Sequence, residues 1–220
     1  MSRTTALPTT RPQLDEPRRG VGRAAVVLAG PVLLVAAELI APRFPDALDT
    51  AGEGAFLVAH RGLFTAASLL GAAAGVLLAV AAVVVALGTT GRGRRLLRVA
   101  AGFAVLGGTG LTMHHAATLG GLDAMAGGAS PSSLVAMAEG PGAASSILAL
   151  LLGTTLAALL LALAAHRTGR TPGRAGWWPL GVAVLGVAAN MSGIAFGTVV
   201  FVVAIGVLLA VHLRPAVDGG

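Results

Sequence analysis

The stretch GLFTAASLLGAAAGVLLAVAAVVVAL, residues 62–87, decides the fold class of this chain. It carries no charged side chain, and about 20 apolar residues in helical form are enough to cross a hydrocarbon layer of about 30 Å. Its apolar residues do not alternate with polar ones, as they would in a strand of a transmembrane barrel. A spanning segment must satisfy its own backbone hydrogen bonds, so the stretch predicts a transmembrane α-helix.

The rest of the chain has the composition of a membrane protein. Apolar residues make up 55% of the 220 residues and charged residues 11%, whereas soluble domains carry about 25% charged residues. The chain contains no cysteine, which excludes disulfides, thiolate metal sites and thiol catalysis. The pI near 11.7 does not indicate nucleic-acid binding, because the arginines form short runs between apolar stretches without interleaved aromatic residues.

Five further spans are predicted beside residues 62–87. The last apolar run, 178–213, would measure about 54 Å as one helix, which exceeds the membrane thickness. We expect it to break near Asn190 and Gly193, which tolerate a left-handed backbone, with Ser192 satisfying a freed backbone group; an unbroken run, giving five spans in all, is the alternative. The other predicted spans are 24–41, 97–119 and 144–165. A short interfacial helix is expected over 130–140.

Arginine placement predicts the orientation. With the N-terminus in the cytoplasm, thirteen of the fifteen arginines fall on the cytoplasmic side and only Arg43 and Arg61 lie outside, as the positive-inside rule requires. The predicted fold is therefore an all-α, polytopic transmembrane helical bundle with six spans and both termini cytoplasmic. A twin-arginine export signal at PRRGVGRAAVVLAG is the alternative for the first span. The predicted segments are a disordered cytoplasmic tail (1–20), the transmembrane domain (21–214) and a short cytoplasmic tail (215–220).

A few polar side chains are predicted near the outer boundary of the membrane. Glu38 lies about one turn before the end of the first span, His60 at the start of the second, and His114 and His115 near the end of the third. Carboxylates and neutral imidazoles are good ligands for Zn²⁺. Glu38, His60 and His114 are therefore candidate ligands of a divalent metal, or a proton site, whereas the alternative is simple solvation of helix ends. Haem held by His60 and His114 is disfavoured by the lack of surrounding aromatic residues.

The adjacent histidines cannot both face the bundle, because neighbouring residues of a helix point about 100° apart. His114 is predicted to face inward, since it shares a stripe with Gly110 and Gly107, and small residues mark contact faces in membrane helices. The GxxxG spacing of Gly71 and Gly75, like the cluster GGTG at 107–110, is likewise interpreted as helix packing and not as a phosphate loop.

Four segments carry a resemblance to known proteins: AHRG at 59–62, GRGRRLLRVAAGFAVLG at 91–107, SPSSLVAMAEGPG at 130–142 and WWPLGVAVLG at 177–186. The chain resembles, over about 21–214, a broad group of six-helix integral membrane proteins of actinobacteria, classed as domains of unknown function. The exclusive use of arginine over lysine is typical of a high-GC bacterium. The resemblance implies a six-helix architecture in the bacterial plasma membrane and implies no activity.

The sequence predicts a small, non-enzymatic accessory or assembly subunit of the plasma membrane, with no resident cofactor. Its expected partners are the lipid bilayer and either further copies of itself or another membrane protein, and not nucleic acid. The support is the absence of a midplane charge, a nucleotide motif or a catalytic triad in the sequence. Two alternatives remain: a proton- or metal-coupled small transporter using Glu38 and His114, and a membrane metalloprotein in which His60 is a third ligand.

Overall fold

The computed structural model describes residues 16–45, 48–130, 140–171, 174–192 and 196–214, which form helices and their connections with no strand. Four of the helices are long and apolar enough to cross a membrane, as the predicted helical bundle requires. The helices of the described part are α1 (Glu16–Ile40), α2 (Thr50–Ala59), α3 (Arg61–Leu87), α4 (Arg94–Ala126), α5 (Pro141–Arg167), α6 (Trp178–Met191) and α7 (Gly197–Val211), and a 3₁₀ turn (Arg174–Trp177) precedes α6. The four long helices are α1, α3, α4 and α5.

The long helices extend beyond their predicted spans, and α1 and α4 do so by the most residues. Helix α1 begins at Glu16, so the end of the predicted tail is helical, and Pro17 lies in the first turn, where a missing N–H is tolerated. Helix α4 continues to Ala126 and ends at two glycines, of which Gly128 has a φ of 93°. The expected interfacial helix and the first fifteen residues lie outside the described residues.

Helix α2 was not predicted from the sequence, although its start carries a recognisable signal. Asp49 caps the helix, its Oδ1 accepting a hydrogen bond of 2.7 Å from the backbone N–H of Gly52. Glu53 adds a negative charge in the first turn, where the helix dipole favours it. The short apolar sequence that follows was too brief to be read as a span, and it forms a separate helix beside the start of α3.

The last apolar run breaks where the sequence predicts. Helix α6 ends at Met191, and the Ser192 hydroxyl donates a hydrogen bond of 2.7 Å to the carbonyl of Ala189. Helix α7 follows after Phe196, whose φ of 78° is left-handed. The carbonyl of Ala189 packs directly against Gly197, so the two helices turn back on each other closely. Gly193 lies outside the described residues.

The helices pack in a regular order. Helix α3 lies between α1 and α4, and α4 lies between α3 and α5. Helix α7 contacts α1, α3, α5 and α6, and most of its side chains are buried. Pro31 packs against Gly206 of α7, and α1 continues as one helix through this proline.

Glycine contacts bring the long helices together in the middle of the bundle. A Cβ added to Gly107 would lie 2.6 Å from the backbone nitrogen of Thr154 in α5, and one added to Gly110 would lie 2.5 Å from the nitrogen of Leu150. Gly108 faces the opposite neighbour and meets the backbone of Gly75 in α3. The predicted packing role of the GGTG cluster is confirmed, because its glycines let α4 approach two helices at once.

The bundle has two chemically different ends. The arginine end contains the start of α1 and the ends of α3, α5 and α7, since Arg23 reaches the carbonyl of Val84 and Arg170 reaches that of Arg214. The far end contains the end of α1, the helix α2 and the end of α4. The α6–α7 turn lies at the far end, because the guanidinium carbon of Arg43 lies 4.1 Å from the ring centre of Phe196.

Candidate functional site

The two adjacent histidines of α4 face different neighbours. His115 is half-buried and its ring lies directly against Gly71 of α3, whereas the side chain of His114 is exposed. The prediction that His114 is the more deeply packed histidine is therefore wrong, although its predicted stripe does face α5 through Gly107 and Gly110. Helix α4 packs against α3 on one side and α5 on the other. The row of residues that ends in His115 and includes Gly108 is therefore a contact face too.

The contact between α3 and α4 explains the position of His115. Gly71 has no side chain, which leaves room for the imidazole, and the other glycine of the GxxxG pair, Gly75, meets α4 one turn further along. Between them, the hydroxyl of Thr112 donates to the carbonyls of Gly108 (2.9 Å) and Ala72 (3.2 Å). Gly71 thus contacts His115 of α4, and Gly75 contacts Gly108 of α4. The two glycines let the helices pack closely.

His114 lines a cavity of about 440 Å³ at the far end, between α4 and α5. The hydroxyl of Thr118 donates to the carbonyl of His114, and that of Ser146 donates to the carbonyl of Ala143, so both hydroxyls are engaged in their own helices. They can still accept a hydrogen bond, whereas the imidazole of His114 adds a ring nitrogen to the polar lining. The remaining lining residues are Leu57, Met113, Ala117, Gly121, Leu122, Met125, Gly142, Ala143 and Ile147.

The other two candidate metal ligands lie in separate surroundings. Glu38 is partly buried on α1, and α3 stands between that helix and α4. His60 joins α2 to α3, its Nδ1 lies 3.0 Å from the carbonyl of Phe56, and its ring centre lies 4.2 Å from that of Phe56. Within the described ranges, no three His, Asp or Glu side chains come together as a metal site. A metal held by Glu38, His60 and His114 stays a prediction.

The far end is also joined by polar and aromatic contacts that the sequence did not reveal. Arg61 and Asp123 form an ion pair of 2.8 Å between the start of α3 and the end of α4. Both side chains are largely exposed, so the pair contributes about 0–1 kcal/mol to stability. The ring of Phe44 lies 5.2 Å from that of Phe56 and 5.7 Å from that of Phe64, which fixes the loop after α1 against α2 and α3.

The arginine end holds cations with few partners. Arg23 is partly buried against Gly88, and one of its terminal nitrogens lies 3.5 Å from the carbonyl of Val84. Its Nε is buried and has no hydrogen-bond partner among the described residues. Nε of Arg170 donates to the carbonyl of Arg214 over 3.2 Å. Among the residues whose side chains are described, no carboxylate forms an ion pair with either guanidinium.

Two further histidines at the arginine end were overlooked in the sequence. His212 is 2% exposed, with Nε2 at 3.0 Å from the carbonyl of Leu161. His166 stacks on Trp177 with ring centres 4.0 Å apart. Nδ1 of each ring is buried and has no hydrogen-bond partner within the part of the chain that the structure describes. Each lies at the end of an apolar run, where a histidine is usually solvated. His212 is buried by contact with α5, and His166 is covered by Trp177 of the 3₁₀ turn that follows α5.

No protein-family model, curated protein or solved structure matches this chain.

Proposed function

We propose that this chain is a small integral protein of the bacterial plasma membrane that acts as a non-enzymatic accessory or assembly subunit. The observation that carries the proposal is the closed middle of the bundle. Glycine contacts bring α3, α4 and α5 together there, and the cavity between Leu78, Thr154 and Leu209 measures only about 20 Å³, roughly the space of one water molecule. A packed centre suits a rigid scaffold better than a transporter with a midplane site.

The outward faces of the helices support an assembly role. Large apolar side chains are exposed on every long helix, with Leu69 57%, Val99 50% and Leu148 57% exposed. The bundle therefore offers apolar surface to lipid and to other membrane helices, and neighbouring subunits can associate through such surfaces by packing alone. A second membrane protein or further copies of this chain are the proposed partners.

Native gel electrophoresis of membranes solubilised in mild detergent tests the assembly role. The chain is expected in a complex larger than its own monomer, and photo-reactive residues at Leu148 or Leu185 are expected to cross-link one defined membrane protein or a second copy. A photo-reactive residue at Leu87, which is exposed at the arginine end of α3, is the control for non-specific cross-linking. A monomer that cross-links only to lipid at both test positions would contradict the assembly role.

We further propose six spans with both termini in the cytoplasm. The thirteen arginines assigned to one side support this orientation, as does the contact of Arg43 with Phe196 at the α6–α7 turn. Helices α6 and α7 alone measure about 21 and 22 Å at 1.5 Å per residue. Helix α6 begins near the arginine end, where Trp177 stacks on His166, and α7 ends there, where His212 contacts the carbonyl of Leu161.

Single cysteines test the topology cleanly, because the chain has no native cysteine. Ser130→Cys is expected to react with an impermeant maleimide added to intact cells, since residue 130 follows α4 at the far end. Thr90→Cys, exposed in the loop between α3 and α4, and Ala216→Cys are expected to react only after permeabilisation. External labelling of Ala216→Cys would contradict the six-span topology.

The alternative function is a metal- or proton-coupled transporter or a metalloprotein. Its support is the far-end cavity of about 440 Å³, which the imidazole of His114 lines. Metal analysis and a visible spectrum of the purified chain separate it from the leading proposal. As an accessory subunit the protein is expected to carry well under one metal ion per chain and no haem absorbance. One Zn²⁺ per chain that is lost in both His114→Ala and Glu38→Gln, but kept in His115→Ala, would support the alternative instead.

A further inference from the structure

The far-end cavity between α4 and α5 has the size of a small-molecule site. Its volume is about 440 Å³, within the range of about 300–1,000 Å³ that is usual for ligand pockets. Leu57 of α2 contributes to its wall as well. The void in the middle of the bundle measures only about 20 Å³. A guest of more than a few atoms therefore fits at the far end and not in the middle.

A glycine contact fixes the inner end of this cavity. Gly110 of α4 packs directly against the backbone of Ser146 in α5, so the two helices touch there. The lining begins within one turn of this contact, and on α4 it runs from Met113 to Met125. Twelve residue steps at 1.5 Å each correspond to about 18 Å along the helix. The cavity is therefore elongated, which suits two linked rings or a ring with a short apolar tail.

The polar side chains of the lining suit a guest that carries a hydroxyl group. The hydroxyls of Thr118 and Ser146 donate within their own helices, so they act as acceptors toward a guest. The side chain of His114 is exposed, and a neutral imidazole adds one donor and one acceptor nitrogen. Acceptors thus outnumber donors among these three side chains. A hydroxyl group both donates and accepts, so it can satisfy both kinds.

The apolar side chains of the lining suit an uncharged aromatic ring. Met113 and Met125 lie at the two ends of the α4 wall, and thioether groups make favourable contacts with aromatic rings. Leu57, Leu122 and Ile147 add aliphatic surface. The lining residues that the structure describes include no acidic residue and no arginine. A charged group on the guest would lose its hydration here without gaining a counter-ion.

We propose that the far-end cavity binds an uncharged aromatic alcohol, a molecule of the phenol or quinol class. Its hydroxyl group lies at the inner end beside His114, and its ring lies between α4 and α5. The proposal rests on the cavity and its lining, and it depends neither on the assembly role nor on a bound metal. Its failure would leave the assembly role untouched, because the gel and cross-linking experiments do not involve the cavity.

Equilibrium uptake of matched probes tests the site. The full chain in nanodiscs, with EDTA present, is equilibrated with para-phenylphenol or with biphenyl, and uptake by protein-free nanodiscs is subtracted. One saturable site per chain is expected for para-phenylphenol. Biphenyl has the same rings without the hydroxyl and should bind about tenfold more weakly, the effect of losing about one hydrogen bond. Equal affinity for the two probes, or no saturable uptake, would overturn the proposal.

Three variants locate the guest within the chain. Ala117→Phe places a ring in the cavity and should abolish saturable uptake, whereas Ala116→Phe, at an exposed neighbouring position outside the lining, should bind like the wild type. His114→Phe keeps a ring but removes the nitrogens, so it should lower the affinity for para-phenylphenol to that for biphenyl. This last variant decides the matter if Ala117→Phe fails to fold. Unchanged preference for para-phenylphenol in His114→Phe, or equal uptake by the two alanine variants, would overturn the proposal.

Discussion

The substitution Gly107→Ala is expected to lower the free energy of unfolding by about 1–3 kcal/mol, the usual cost of adding a methylene-sized group to a filled core. The new methyl group would lie 2.6 Å from the backbone nitrogen of Thr154 and 3.0 Å from the carbonyl carbon of Gly153. Backbone atoms cannot rotate away as a side chain can, so α4 and α5 would have to separate. The thermal midpoint of the protein in detergent measures this effect.

Gly102 supplies a matched control on the same helix. A Cβ at Gly102 would meet no atom within 4 Å, so Gly102→Ala should raise the free energy of unfolding by about 0.5–1 kcal/mol, the gain in helix propensity from glycine to alanine. If Gly107→Ala and Gly102→Ala unfold at the same temperature, the close approach of α4 and α5 is not a source of stability.

Replacing Gly71 by alanine is expected to destabilise the protein because the new side chain would collide with one residue, His115. The added methyl would occupy the position of the His115 ring, so the imidazole must move or α3 and α4 must part, at a cost of about 1–3 kcal/mol. His115→Ala removes the obstacle. The double variant should therefore unfold close to His115→Ala alone, and the double-mutant cycle should give a coupling of about 0.5–3 kcal/mol.

His114 provides the control for this cycle. His115→Ala alone should cost about 1–2 kcal/mol, within the ordinary range for a packed side chain, whereas His114→Ala should change stability by less than about 0.5 kcal/mol because its side chain is exposed. His114→Ala should also leave the effect of Gly71→Ala unchanged. Additive effects of Gly71→Ala and His115→Ala would show that the two residues do not share one space.

Part of the fold followed from local sequence alone. The four long apolar helices and the break of the run 178–213 near Asn190 were predicted and are present, because length, composition and turn residues are properties of a segment by itself. Helix α2 was missed although Asp49 and Glu53 signal its start, since a ten-residue helix outside the long apolar runs has no hydropathy signature.

The candidate sites could be predicted less completely. The sequence identified the polar residues of the far end, but it could not tell that α3 separates Glu38 from α4. It likewise gave no sign that Arg23 lies against Gly88 at the end of α3, or that Nε of Arg170 donates to the carbonyl of Arg214. Both arginines belong to segments that topology rules describe only as positively charged.

By itself, then, the sequence determined that this chain has the composition of a membrane protein and which stretches become long helices, because transfer of an apolar segment into lipid depends on that segment alone. The tertiary structure decided which of two adjacent histidines is packed. Both stripes of α4 carry small residues, and both are contact faces because α3 and α5 lie on two sides of the helix. His115 is the half-buried one because Gly71, distant in sequence, leaves the space that its ring fills.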